Sequence, residues 1–111
     1  MKHFKIFLLF LLLPFTIFSE TVYVKYRGLL NLERRELYEC PTKESSLEKR
    51  IVYDSESKYL VVKLNATYYH YCGVSSKTLN DWLTSPSLGK YYIHYIKNKY
   101  DCRKGFVPSY K

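Results

Sequence analysis

Tyr59-Leu60-Val61-Val62-Lys63-Leu64-Asn65-Ala66-Thr67-Tyr68-Tyr69-His70-Tyr71-Cys72 is a pair of β-type runs around a two-residue turn, and it decides the fold class. β-Branched and aromatic side chains suit a pleated, half-buried surface. Asn65-Ala66 is short enough to bring the chain straight back alongside itself. Upstream, Arg50-Ile51-Val52-Tyr53-Asp54 is a third run of the same kind, set off by the polar Ser55-Glu56-Ser57-Lys58. Three runs with two short connections predict a three-stranded antiparallel meander. Period two places Leu60, Val62 and Leu64 on one face and Tyr59, Val61 and Lys63 on the other.

Downstream of Gly73 the period changes. Ser75 or Ser76 can cap a helix whose apolar residues Leu79, Trp82 and Leu83 fall at helical spacing, and Pro86 stops it. Ser87 can cap a second helix, in which Leu88, Tyr91, Tyr92, Tyr95, Ile96 and Tyr100 form a broad stripe. Upstream, Val22, Val24 and Tyr26 alternate with Tyr23, Lys25 and Arg27 before Gly28, which predicts a short strand running into a turn. The charged stretch 29–46 reads as irregular, with a brief strand at Leu37-Tyr38-Glu39-Cys40 ended by Pro41. The expected fold is α+β: a small antiparallel sheet, the three-stranded meander plus a short N-terminal strand, with two C-terminal helices packed on one face.

Residues 1–19 have the order of a cleavable export signal: basic Lys2 and Lys5, an apolar run over 6–18, and the small Ser19 before Glu20. The apolar run is shorter than the roughly twenty residues a spanning helix needs, and Pro14 interrupts it, so no stable membrane anchor is expected after cleavage near Ser19. Loss of Lys2 and Lys5 lowers the formal charge from +8 to about +6. The remaining domain is small enough for a covalent staple to matter. Cys40, Cys72 and Cys102 all lie beyond the signal, where an oxidising compartment permits disulfides. Three cysteines allow three single pairings. A bridge that uses Cys102 is expected, because it would tie down an end that otherwise frays.

Little in the chain points to catalysis. Only His70 and His94 remain after cleavage, with no HExxH, no GxSxG and no glycine-rich phosphate loop. No metal site and no cofactor are expected, and the domain is read as a non-enzyme. Asn65-Ala66-Thr67 fits a glycosylation acceptor but sits in a tight turn, and it is assigned no role. The features that could bind are aromatic and basic. Thirteen tyrosines include Tyr69 and Tyr71 on one strand face and Tyr91 and Tyr92 on the second helix, where Lys90, Lys97 and Lys99 are interleaved. Tyrosines beside cations can stack on bases or sugars, or pack into the core and leave the lysines as a solvated face.

Tyr69-His70-Tyr71, followed by Ser87-Leu88-Gly89-Lys90-Tyr91-Tyr92, resembles the KTSC domain, a module of small bacterial proteins that also occurs at the C-terminus of some lysyl-tRNA synthetases. Tyr53-Asp54, Ile96 and Tyr100 fall where that family has them, and the resemblance covers residues 47–103. Val22-Tyr23-Val24-Lys25-Tyr26-Arg27-Gly28 and Asp101-Cys102-Arg103 are similar to a secreted bacterial branch of the family. Ser75 stands where the family often has proline, and Ile93 where it has asparagine. Secreted relatives often carry a cysteine in place of Val52, and its loss would account for the odd cysteine count.

The resemblance implies no established activity; RNA binding has been suggested only from the synthetase context. The expected organisation is a signal peptide (1–19), an N-terminal extension with a short strand (20–46), a KTSC-like domain (47–103) and a tail (104–111). The expected function is that of a secreted or periplasmic, non-catalytic interaction module. Its partner would be a protein or another component of the cell envelope, recognised through Tyr69, Tyr71, Lys90, Tyr91, Tyr92 and Lys97. Nucleic-acid binding through the same basic, tyrosine-rich surface is the alternative.

Overall fold

The computed structural model of the chain describes residues 20–42 and 49–110. The expected signal peptide lies outside the described residues. Six strands form one mixed sheet: β1 (Thr21–Val24), β2 (Gly28–Asn31), β3 (Tyr38–Cys40), β4 (Lys49–Asp54), β5 (Tyr59–Leu64) and β6 (Thr67–Cys72), in the order β2-β1-β6-β5-β4-β3. Two short helices follow, α1 (Ser76–Leu83) and α2 (Leu88–Tyr91), and α2 runs into a π-helical turn over Tyr92–Ile96.

This corrects the expected sheet. It is not a three-stranded meander plus one strand, all antiparallel, but a six-stranded sheet curled into a half-barrel, in which β1 runs parallel to β6. The centre does coincide with the three β-type runs: Val62 sits opposite Ile51 on β4 and Tyr69 on β6. Three further strands come from the N-terminal extension. β2 pairs with β1 through Val22↔Leu30, β3 pairs with β4 through Cys40↔Ile51, and β1 meets β6 at Val24↔Tyr68.

The curl exists because both faces of the central strands are apolar. Ile51, Tyr53, Leu60, Val62 and Tyr71 face the helices and pack with Leu79, Trp82, Leu88 and Ile96. Val52, Tyr59, Val61 and Tyr68 face the other way. A flat sheet would leave that second set in water, at about 25 cal/mol per Å² of apolar surface. The β1–β2 hairpin bends over it instead and contributes Val24 and Leu30, with Leu37 from the following loop. The result is one sheet with a core on each side.

The helices begin as their caps dictate. The Ser75 hydroxyl accepts from the Thr78 amide at 3.1 Å, and the Ser87 hydroxyl accepts from the Lys90 amide at 3.3 Å. The second helix does not continue to Tyr100 as the stripe suggested. The Lys97 amide reaches back to the Tyr92 carbonyl at 2.8 Å, a π-type closure, and Lys97 itself is extended. A π turn holds more residues than an α turn, so Ile96 is carried onto the core while Tyr95 is left 58 % exposed.

Candidate functional site

β1 pairs with β6 at one corner, where the Lys25 amide donates to the Tyr68 carbonyl at 2.9 Å beside the Val24↔Tyr68 pair. β6 begins at Thr67, just past the Asn65 turn (φ 56°), so Thr21 and Val22 at the start of β1 have no residue of β6 opposite them. The gap is a groove of about 680 Å³ lined by Val22, Tyr23, Lys25, Tyr26, Ala66, Thr67, Tyr68 and Tyr69.

Its rim is aromatic and cationic. Tyr23 is 66 % exposed and Tyr26 is 83 % exposed. Between them, the Lys25 ammonium lies 5.3 Å from the centre of the Tyr26 ring and 5.8 Å from that of Tyr69, within range of cation–π attraction. Tyr26 has φ 69°, a left-handed conformation that a bulky residue adopts only where its surroundings impose it. The three-residue connection Lys25-Tyr26-Arg27 imposes it, with Gly28 (φ 108°) absorbing the rest of the reversal. The hairpin thus holds a tyrosine in water at the mouth of the groove.

The residues expected to form a binding surface do not form one exposed face: the tyrosines pack on the helix-side core and the lysines stand apart. Tyr71 is buried, its hydroxyl is hydrogen-bonded to that of Tyr92, and the rings meet edge to face at 6.1 Å. Burial, and then the hydrogen bond with Tyr92, push the Tyr71 phenol well above its ordinary range. Tyr92 in turn leans on Trp82 at 5.9 Å. These two tyrosines hold α2 against the sheet. Tyr91 is half-buried beside Tyr95, with ring centres 4.6 Å apart. Lys90 and Lys97 are exposed near the two ends of the α2 and π-turn segment. Of the six, only Tyr69 reaches the groove. Sequence reasoning missed Tyr23, Lys25 and Tyr26. The available signal was the alternation over 22–27 that contains all three, which has meaning only once β1 is placed beside β6.

The cysteine chemistry is settled by pairing and burial. Cys72 and Cys102 form a disulfide with Cα atoms 4.9 Å apart, so Cys102 does tie down the tail. Cys40 is a free thiol in the helix-side core, and burial, with help from Glu39, pushes it up to about 11. The His70 ring is bonded through Nδ1 to the Tyr59 hydroxyl at 2.8 Å, on the face of the sheet away from the helices. Among the described residues no three His, Cys, Asp or Glu side chains converge as a metal site would require, and no helix is long and apolar enough to cross a membrane.

Residues 44–100 match the family model of the KTSC domain, just over half of the 111-residue chain. The chain belongs to the KTSC domain family. No curated protein and no solved structure matches the chain. The matched residues contain β4, β5, β6 and both helices, whereas β1, β2 and β3 precede the KTSC domain and Cys102 follows it. The groove therefore lies on the seam where the N-terminal extension meets the KTSC domain's β6.

Proposed function

We propose that this KTSC protein is an exported, non-catalytic binding module that holds a protein partner of the cell envelope in the groove between β1 and β6. The observation that carries the reading is the exposure of Tyr23 and Tyr26 around Lys25, at the open end of a groove with an apolar floor. Tyrosine is favoured at protein interfaces because it supplies a large apolar contact and a polar tip. The leader-like residues 1–19 and a disulfide between Cys72 and Cys102 support export to an oxidising compartment. A protein is favoured over nucleic acid because phosphate-dominated binding needs several cations in one track. The groove carries Lys25, while Lys90 and Lys97 belong to the α2 segment.

The test is to express the full chain in a bacterial host, recover it from the cell envelope, and sequence its N-terminus, which should begin near Glu20. Wild type and a Tyr23→Ser, Tyr26→Ser double variant are then used as bait for envelope extract at low and high salt. A protein retained by wild type at high salt and lost from the variant supports the reading. Recovery of nucleic acid that high salt removes equally from both baits would overturn it, as would recovery of the unprocessed chain from the cytoplasm.

A further inference from the structure

On the face of the sheet away from the helices, Tyr110 is docked like a ligand. The Tyr110 hydroxyl donates to Oδ2 of Asp54 at 2.7 Å. Its ring lies 5.4 Å from the Arg27 guanidinium and 5.3 Å from that of Arg34, and 6.3 Å from the Tyr59 ring, which meets it edge-on. Asp54 is only 2 % exposed.

Each wall of this site is held without help from the tail. The other Asp54 oxygen accepts from the amides of Glu56 and Ser57 at 3.0 and 3.2 Å, which fixes the carboxylate in the β4–β5 turn. Arg27 donates to the Tyr59 hydroxyl at 3.2 Å, and that hydroxyl is bonded to His70. Arg34 is paired with Glu36 at 3.4 Å. The tail, by contrast, is attached through side chains, with Pro108 buried and Tyr110 half-buried. Its last backbone hydrogen bond among the described residues is from Gly105 to Cys102 at 3.4 Å. Beyond it, Phe106 is 69 % exposed, Val107 is also exposed, and only Pro108 and Tyr110 turn inward. A preorganised pocket whose occupant is held there by side chains rather than by backbone pairing is the arrangement of a binding site filled in cis.

We propose that Arg27, Arg34, Asp54 and Tyr59 form a receptor site for an unmodified tyrosine side chain on an extended segment of another protein, and that Tyr110 is its tethered placeholder. The chemistry of the observed occupant defines the ligand. Two guanidinium groups attract a ring face, and a buried carboxylate requires a hydroxyl donor at the para position. A phosphorylated or sulfated tyrosine would set its own negative charge against Asp54 and is excluded. None of these four residues lines the groove, and the site does not depend on the groove's role.

The probe is a labelled peptide with the sequence of residues 105–111, Gly-Phe-Val-Pro-Ser-Tyr-Lys. It is titrated against the full chain and its Tyr110→Ala variant, with Trp82 fluorescence checking that each is folded. The variant should bind the peptide, and wild type at least about tenfold more weakly because its own tail competes. Adding Asp54→Asn to Tyr110→Ala should weaken binding about tenfold or more, since a hydrogen bond to a charged acceptor is lost, and replacing the peptide's tyrosine by phenylalanine should do the same. If Tyr110→Ala does not fold, Tyr110→Phe, which keeps the ring, takes its place and should bind more strongly than wild type. Equal binding by wild type and the emptied variant, or binding insensitive to Asp54→Asn, would overturn the proposal.

Discussion

Cys72, the last residue of β6, is bonded to Cys102, 30 residues further along the chain. The Cys72 amide also donates to the Tyr100 carbonyl at 3.0 Å. Gly105 then passes so close that a Cβ on it would lie 2.8 Å from the Cys72 Cβ. One bond therefore fastens the edge of the KTSC domain to the tail that carries Tyr110, and both candidate sites border elements that lie outside the matched domain.

Breaking that bond should be the most damaging single covalent change. A loop of 30 residues closed by a disulfide restricts the unfolded chain by about 3 to 4 kcal/mol in the chain-entropy account. A Cys72→Ser, Cys102→Ser double variant should lose stability of that order in urea unfolding. Gly105→Ala should act in the same direction through its clash with Cys72, and an unchanged midpoint for it would show that the tail is free to shift.

The centre of the fold was legible because its partners are neighbours in sequence: Asn65-Ala66 and residues 55–58 leave β4, β5 and β6 little choice but to pair. The rest was not legible for physical reasons. β2 is four residues of Gly28-Leu29-Leu30-Asn31, too short for periodicity to register, and the brief strand read at 37–40 is present as β3, though local pattern named no partner for it. The parallel contact of β1 with β6 joins segments some forty residues apart through one pair, Val24↔Tyr68, which local pattern cannot reveal. For the same reason Tyr69 was recognisable as a candidate while Tyr23 and Tyr26 were not. Tyr71 and Tyr92 read as binding residues because spacing alone does not say which face the helices cover.

Cys40 should be silent to thiol reagents while the protein is folded. It is 4 % exposed, and its thiol is pushed up to about 11 from an ordinary 9.0, first by burial and then by Glu39. Two units leave about a hundredfold less thiolate before access is considered. Maleimide labelling followed by mass spectrometry should find Cys40 unmodified in buffer and fully modified in denaturant. Rapid native labelling would mean that the helix-side core opens readily at β3.

His70 should make stability depend on mildly acidic pH. Arg27 donates to the Tyr59 oxygen, and the same hydroxyl is bonded to Nδ1 of His70, which can accept the phenol proton only while the ring is neutral. Burial, and then the nearby Arg27 charge, hold His70 below its ordinary value of 6.5, with Asp101 opposing them. The unfolded chain thus takes up a proton at higher pH than the folded one. The contribution is complete above about pH 6.5, falls as pH drops below it, and levels off once the folded histidine also protonates. Melting curves between about pH 7.5 and 5 should show this fall in wild type. They should show less of it in His70→Gln, which can still accept from Tyr59 but cannot charge.

Arg50 should decide whether the half-barrel keeps its curl. Its guanidinium donates to the Tyr68 hydroxyl at 2.9 Å and to both carboxylate oxygens of Glu39 at 2.6 and 3.2 Å, and it pairs with both oxygens of Glu20. One side chain of β4 so links β3, β6 and the residue that enters β1. A planar fork can serve three partners at once, whereas an ammonium on a flexible stem cannot. Arg50→Lys keeps the charge but should cost about 1 to 2 kcal/mol by losing the forked contacts. The hydrogen bond from Arg50 is the main reason the Glu20 carboxyl sits below its ordinary 4.5. Stability present above about that pH is lost as pH falls through the folded-state value, and the loss should be smaller in the variant. If Arg50→Lys instead unfolds at the wild-type urea concentration, the apolar inner face holds the curl by itself and the guanidinium only decorates its rim.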